Sequence, residues 1–393
     1  MMPQNRERIS EQDLYALRMK IRKVAETDLE ALADEMEKTN VYPEKMWEIC
    51  RKNDLFRLSL PKQYGGMGLC YEQYFQCLEE IARAPGSIRM FLHVVNGLSW
   101  HILADHGPEE LKKKWMPLMA NEDFFITFAL TEPGCGSGVD IRTKAERKGD
   151  KYILNGQKTL ISFTDVHDAY YIIAVTDESK RQKGGHSAFV IPVDTPGIWV
   201  EPMPHMMGCR GAGHGHVMMR NCEVPVANRL GQEGEGLTIF LHALAISRAS
   251  IGVCLLGMSQ WFLERAIARA KDRVTFGKPI ASRQAIQQTI ADMGTQVYAC
   301  RMIAWDVAKQ IDRGEDIEMK SSMLKLHGID TVRTVSDSCL EIFGGIGYFE
   351  DNPYGPVERM YRDARAMWLE EGPRTVQRLT AARVLIQNKG EVK

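Results

Sequence analysis

The chain has 393 residues, of which 44% are hydrophobic and 26% charged, with a formal net charge of −1. That length supports two or three structural units around a sizeable core, and the charge balance excludes a disordered chain and a general binder of nucleic acid. Nine cysteines, none spaced Cys-x-x-Cys, argue for reduced thiols in a cytoplasmic setting and against a disulfide frame or a metal site.

The start, MMPQNRERISEQDLYALRMK, mixes acids with bases and has no apolar segment, so neither a secretory leader nor a transit peptide is expected. No apolar run approaches membrane-spanning length, and no membrane contact is expected. From Glu11 to about Ile126 apolar residues recur at three and four, as in Leu14, Leu17, Ile21 and Val24, which predicts a helical unit over 1–126. LPKQYGGMG, residues 60–68, interrupts it with a loop, because its proline and glycines need backbone freedom a helix forbids.

Around Phe125 the pattern changes to short β-branched and aromatic runs divided by turn residues: FITFALTE, KYIL, QKTLIS, AYYIIAVT, HSAFVIPV and GIWVEP. With no helix between them these predict an antiparallel barrel or sandwich over 127–236, and Asn155-Gly156 predicts a two-residue hairpin turn. Beyond GQEGEG the helical period returns and holds to the end, predicting a bundle over 237–393. There Ile286, Ile290, Met293, Val297, Cys300, Ala304 and Val307 mark one long helix, ended by Gly314.

Three glycine-bearing segments are candidates for ligand contact. LTEPGCGSG, residues 130–138, follows a strand and suits either a strand-end turn or a loop whose N–H groups face an anion. FGGIGY, residues 343–348, follows a helix where a dinucleotide fingerprint requires a strand, which argues against a Rossmann site. RVTFGKPI, residues 273–280, reads as an interhelical loop in water, and His214 and His216 read as surface residues.

Taken together, PKQYGGMG, ALTEPGCGSG, NGQKTLIS, CEVPVANRLGQEGEG, RVTFGKPI, EIFGGIGY and RDARAMWLEEG, in this order, resemble the acyl-CoA dehydrogenase family across nearly the whole chain. The resemblance implies a mainly α fold in three parts: an N-terminal helical domain, a β barrel or sandwich, and a C-terminal four-helix bundle. It implies FAD as cofactor, an acyl-CoA substrate, an electron-transfer flavoprotein as acceptor, and a homotetramer or homodimer. It places Phe128, Leu130, Thr131, Gly136 and Ser137 along the flavin, Ser137 reaching the pyrophosphate or the thioester. Leu160, Ile161 and Ser162 form the second β contact, where Leu160 replaces the common tryptophan and the Ser162 hydroxyl is expected near flavin N5. Arg273 and Gln284 are implied to reach FAD across a subunit boundary. Gly344, Gly345 and Thr375 complete the cofactor set with Glu341, which stands where glutamine is usual. Arg248 and Gly372 join Ser137 as substrate contacts, with Ala245 where an aspartate is common.

Dehydrogenation beside a thioester carbonyl needs a base for the α proton and an acceptor for the β hydride on opposite sides of the substrate. The resemblance assigns the base to Glu371, eight residues after Asp363. Adjacent helical residues point about 100° apart, so Glu370 is expected to meet solvent or a basic partner such as Arg374. Pro373 replaces the usual small hydroxyl residue and leaves a straight, branched, cyclic or polar acyl group open. A flavin oxidase or monooxygenase acting on a non-CoA substrate, and a non-catalytic scaffold, are the competing readings.

Overall fold

The apolar spacing at the N-terminus produces seven helices in the computed structural model, which describes residues 6–121, 123–135, 138–350 and 352–392. They are α1 (Glu11–Val24), α2 (Ala33–Thr39), α3 (Glu44–Lys52), α4 (Tyr71–Ile81), α5 (Gly86–Val94), α6 (Trp100–His106) and α7 (Glu109–Ala120). Ser10 caps α1 by accepting the Asp13 N–H at 3.1 Å, and Leu14, Ile21 and Val24 face the core. The loop at 60–68 contains one short helical turn, with Gly65 and Gly68 at φ 94° and 67°.

The middle segment folds into β1 (Ile126–Ala129), β2 (Lys144–Lys148), β3 (Lys151–Ser162), β4 (Ala169–Val175), β5 (His186–Pro192), β6 (Ile198–Pro202), β7 (His214–Pro225) and β8 (Arg229–Leu230). They form one sheet in the order β6-β7-β3-β2-β4-β5-β8, with β1 added beside β4. The pairing is antiparallel except that β4 runs parallel to β1 and meets β2 in parallel at one residue pair. Every residue of β4 is buried. Tyr170, Ile172 and Ala174 fill the core within the sheet, whereas Ala169, Tyr171 and Ile173 pack toward the helices, which explains a run apolar at every position.

Asn155-Gly156 does not turn the chain, contrary to the expectation from sequence. β3 continues through it with a register break against β7, and the β2–β3 hairpin turns at Gly149-Asp150. A Cβ on Gly156 would stand 2.6 Å from Thr143 Oγ1, so this glycine serves a close approach at a bulge. Asn155 Oδ1 accepts the Asn221 backbone N–H at 2.8 Å, fixing the same irregularity. Positive φ is common to bulges and tight turns, which is why the dipeptide misleads.

The C-terminal segment contains α8 (Gly236–Asp272), a small hairpin of β9 (Val274–Thr275) and β10 (Lys278–Pro279), α9 (Gln284–Asp312), α10 (Glu318–Phe343), α11 (Val357–Ala366) and α12 (Arg374–Gln387). RVTFGKPI is therefore a hairpin rather than an open loop, with Phe276 and Gly277 both at positive φ. On α9 the stripe from Met293 to Val307 is buried, and Ile286 and Ile290 pack at its edge. Contrary to the sequence expectation, α8 is long and apolar enough to span a bilayer, yet 89% of its most apolar window is buried inside the protein. It is the central helix, apolar on all sides because α4, α9, α10 and β5 surround it.

Candidate functional site

The two glutamates of WLEEG lie in the turn between α11 and α12, not on a helix. Glu371 adopts φ 49°, a left-handed conformation that costs a non-glycine residue on the order of 1 kcal/mol or more. The turn sends the two carboxylates to different partners. Ser247 of α8 donates its hydroxyl to Glu371 Oε1 at 2.6 Å, and His93 Nε2 of α5 lies 3.7 Å from the same oxygen. Glu371 Oε2 is buried and has no hydrogen-bond partner. The Glu371 carbonyl accepts from Arg248 Nε at 3.3 Å and Gln377 Nε2 at 3.2 Å, which holds the turn from behind.

Glu370 meets a basic partner rather than solvent, but that partner is Arg89 and not the Arg374 named from sequence. Its side chain is 17% exposed and its carboxylate lies 3.3 and 3.4 Å from the guanidinium of the fully buried Arg89. Arg374, the partner expected from sequence, donates to Asp330 at 2.6 Å instead. Burial would raise the Glu370 pKa, but Arg89 outweighs it and holds the carboxyl below its ordinary value. Burial likewise opposes the charge of Arg89, and Glu370 overcomes it. Lys325 of α10, also fully buried, donates to the carbonyls of Glu370 and of Gly372, the latter at 2.9 Å; burial pushes its pKa down to about 8.

Asp363, at the end of α11, fixes α5 relative to this turn. Its carboxylate accepts the N–H of Gly86 at 2.9 Å, at the start of α5, and the N–H of Cys209 at 2.6 Å, in the β6–β7 connection. Arg359 donates to it at 3.3 Å. One buried carboxylate thus ties together parts of all three segments. α5 then spans the site: Arg89 and His93 reach the glutamates, and Phe91 packs on Phe163, next to Ser162, at 5.0 Å between ring centroids.

The residues assigned to the flavin ring gather at the ends of β1 and β3. Phe128 is half-buried against Phe240 of α8, with centroids 4.3 Å apart, and Leu130 is half-buried beside it. Thr131 is exposed, and its carbonyl accepts the Thr159 N–H at 2.8 Å, joining the 130–135 loop to β3. A buried pair anchors the same loop: Lys158 Nζ meets Glu132 at 2.7 Å, and the Glu132 carboxylate accepts the N–H groups of Arg142 and Thr143 at 2.7 and 3.0 Å. Burial pushes the Lys158 pKa down to about 8. Leu160 is 59% exposed at φ 58°, an apolar side chain held outward by a strained backbone. Gly136 and Ser137 lie outside the described residues.

Two of these assignments need correction. Ile161 is buried within the sheet core, so only its main chain is available to a ligand. Ser162 and His214 form a hydrogen bond of 2.8 Å, and His214 Nδ1 is 3.1 Å from the Ala212 carbonyl. A carbonyl can only accept, so Nδ1 carries the proton and the Ser162 hydroxyl donates to Nε2. The Ser162 proton is therefore directed at His214, and its oxygen lone pairs remain for another donor. His214 is not a surface residue; burial lowers its pKa.

The remaining cofactor residues are at the other end of α8. Arg273, Gln284, Glu341, Gly344 and Gly345 are all exposed around the ends of α8 and α10 and the start of α9. Gly344 adopts φ 65°, and a Cβ on either glycine would meet open space, so an incoming group can lie against the bare backbone. Arg273 follows Phe240 by thirty-three residues along a helix that rises 1.5 Å per residue, placing it roughly 50 Å from the ring site. One copy therefore does not bring the two halves of the cofactor set together. Within each half the residues fit FAD: apolar and backbone groups for the ring, bare glycines and an arginine for the polar end. Thr375 is exposed on the first turn of α12, and Arg248 is buried behind the Glu371 turn. Among the described residues no group of His, Cys, Asp and Glu is placed to hold a metal ion.

Arg89, His93, Ser247, Lys325 and Asp363 had no role in the sequence reading. Arg89 and His93 did carry a signal, being two polar residues at i and i+4 in the otherwise apolar run SIRMFLHVV.

Three family models match the chain in order: the acyl-CoA dehydrogenase N-terminal domain over residues 11–123, the middle domain over 127–222 and the C-terminal domain over 234–386. An acyl-CoA dehydrogenase of Bacillus subtilis is 34% identical over 95% of this chain and 98% of its own. The CarC subunit of the caffeyl-CoA reductase-Etf complex of Acetobacterium woodii is 33% identical over 94% and 97%. The butyryl-CoA dehydrogenase structure of Megasphaera elsdenii superimposes with a TM-score of 0.89 at 27% identity, covering 97% of this chain and 99% of that one.

Proposed function

The chain belongs to the acyl-CoA dehydrogenase family and is an FAD-dependent oxidoreductase; from that premise we propose that it converts an acyl-CoA thioester to the 2-enoyl-CoA with Glu371 as the base. Bound FAD supplies the acceptor for the β hydride. The observation that carries the assignment is the asymmetry of the Glu371 carboxylate: Oε1 is held by Ser247 while Oε2 is buried without a donor, leaving that oxygen to take the α proton. Glu370 is the weaker base, because Arg89 occupies its carboxylate and holds its pKa below the ordinary value. Arg248, Gln377 and Lys325 hold the carbonyls of residues 370–372 and so fix the strained turn that aims the base. Gly372 lines the approach to the thioester in this reading, with Arg248 supporting it from behind the turn, and an electron-transferring flavoprotein receives the electrons.

A second reading runs the reaction in reverse, with protonated Glu371 delivering the α proton to an enoyl-CoA. The name of the Acetobacterium woodii reductase subunit supports it. Anaerobic mixing with straight, branched, cyclic and polar acyl-CoA thioesters, and with their enoyl counterparts, identifies substrate and direction from flavin bleaching or reoxidation. In Glu371→Gln, bleaching by the best thioester is expected to fall by about 10³-fold or more with FAD and thioester binding retained. Bleaching at the wild-type rate in that variant would remove Glu371 from the role.

A further inference from the structure

We propose that His93 positions the base: neutral, with its proton on Nε2, it presents that N–H to Glu371 Oε1 and keeps Oε2 turned toward the substrate. The inference rests on Glu371 as the base. Arg89 Nη1 lies 3.5 Å from His93 Nδ1. A guanidinium has only donors, so Nδ1 must keep its lone pair, and the ring proton resides on Nε2. That nitrogen is buried with no hydrogen-bond partner, and it faces Glu371 Oε1 at 3.7 Å. The separation is too long for a hydrogen bond, so the donor stands a few tenths of an ångström from engagement. Engagement adds a second donor to the oxygen Ser247 already holds at 2.6 Å.

The fold sets this tautomer from two sides. Residues four apart on a helix share a face, so α5 presents Arg89 and His93 together. Glu370, at 3.3 and 3.4 Å, and Cys209 Sγ, at 3.9 Å, orient the guanidinium. Of the cations around the turn, Arg248 and Lys325 bond to backbone carbonyls and Arg89 meets the imidazole, while the Glu371 and Glu370 carboxylates are the anions beside the ring. Glu370 thereby acquires a task its sequence position does not suggest: through Arg89 it fixes which histidine nitrogen faces the base.

The first test needs no substrate. Long-range ¹H–¹⁵N spectra of FAD-loaded protein labelled at histidine, with the His93 signals identified by their loss in His93→Gln, should show a neutral ring protonated at Nε2. A ring protonated at Nδ1, or an imidazolium near neutral pH, would overturn the proposal. The second test uses the thioester that bleaches the wild-type flavin fastest. His93→Phe should slow bleaching about 30-fold and move the acid limb of the pH–rate profile upward, because a lost donor disfavours the ionised carboxylate. His93→Gln retains an N–H donor and should recover most of the rate. A phenylalanine variant with wild-type rate and profile, or a glutamine variant as slow as phenylalanine, would reject a donor role. If His93→Phe does not fold, the tautomer in the wild type decides. Failure of Glu371 as base is read separately, from undiminished bleaching in Glu371→Gln.

Discussion

The two ends of α8 differ in how their polar groups are satisfied. At the near end Ser247 and Arg248 bond within the chain, and Arg89, Lys325 and Glu370 complete a closed interior around them. At the far end Arg273, Gln284, Gly344 and Gly345 face outward, beside Phe276 at 97% exposure and Tyr348 at 85%. The near end is closed by one chain, whereas the far end is left exposed by it. We propose that a second copy of the chain covers it, since the far end carries the residues that the ring site, roughly 50 Å away on the same chain, lacks. Chemistry is then built by folding and cofactor grip by assembly, so FAD should stabilise the oligomer and the oligomer should retain FAD.

The largest effect is expected from opening the near end. Arg89→Met leaves Glu370 enclosed without its cation and should cost about 3–5 kcal/mol in chemical denaturation of the FAD-loaded protein. Glu370→Met strands Arg89 and should cost as much, while the double substitution should recover most of the loss. Singles that cost under about 1 kcal/mol would mean that water reaches the pair and the near end is not closed.

Lys325 gives a smaller, pH-dependent effect from the same interior. Its folded pKa, about 8, lies below its ordinary value of 10.5, so between these values the unfolded chain binds more protons. Stability contributed at this residue should therefore rise with pH across that window. The check is the difference in unfolding free energy between wild type and Lys325→Met, which should move in favour of wild type by on the order of 2 kcal/mol from pH 8 to 10.5. A difference independent of pH would place the ammonium in a solvated site.

Much of the frame was legible in the sequence because it depends on period. The α9 stripe and the all-apolar β4 state in residue order which faces are buried. Glu370 was misread because spacing along a helix assumes a helix, and the chain had already left α11; the left-handed φ of Glu371 leaves no compositional mark. Asn155-Gly156 was misread because the sequence reports the need for positive φ, not whether a turn or a bulge requires it. Lys325 and Asp363 were invisible as site residues because the contacts that tie them to the site are to backbone groups distant in sequence, and a carbonyl or N–H offers no residue type to match.

At the far end, Arg273→Ala should weaken FAD retention about tenfold, equivalent to about 1.4 kcal/mol, and lower the oligomer's resistance to dilution in parallel. Gel filtration with the flavin-to-protein absorbance ratio reads both. A variant that stays assembled with full FAD occupancy would break the link between the exposed end and the cofactor.

The smallest effect concerns Leu160, an exposed apolar residue of the ring site. Leu160 is 59% exposed at φ 58°, its outward direction set by backbone strain rather than by packing, so a larger side chain can follow the same path without displacing a neighbour. Leu160→Trp should then extend apolar cover over the edge that meets solvent and slow reoxidation of the reduced flavin by dioxygen about threefold, measured by stopped flow after anaerobic reduction. Any peroxide released per turnover should fall in proportion in the variant relative to wild type. An unchanged reoxidation rate in a folded, fully loaded variant would mean that the edge at Leu160 is covered by the second copy, which would place part of the near end under the same rule of assembly as the far one.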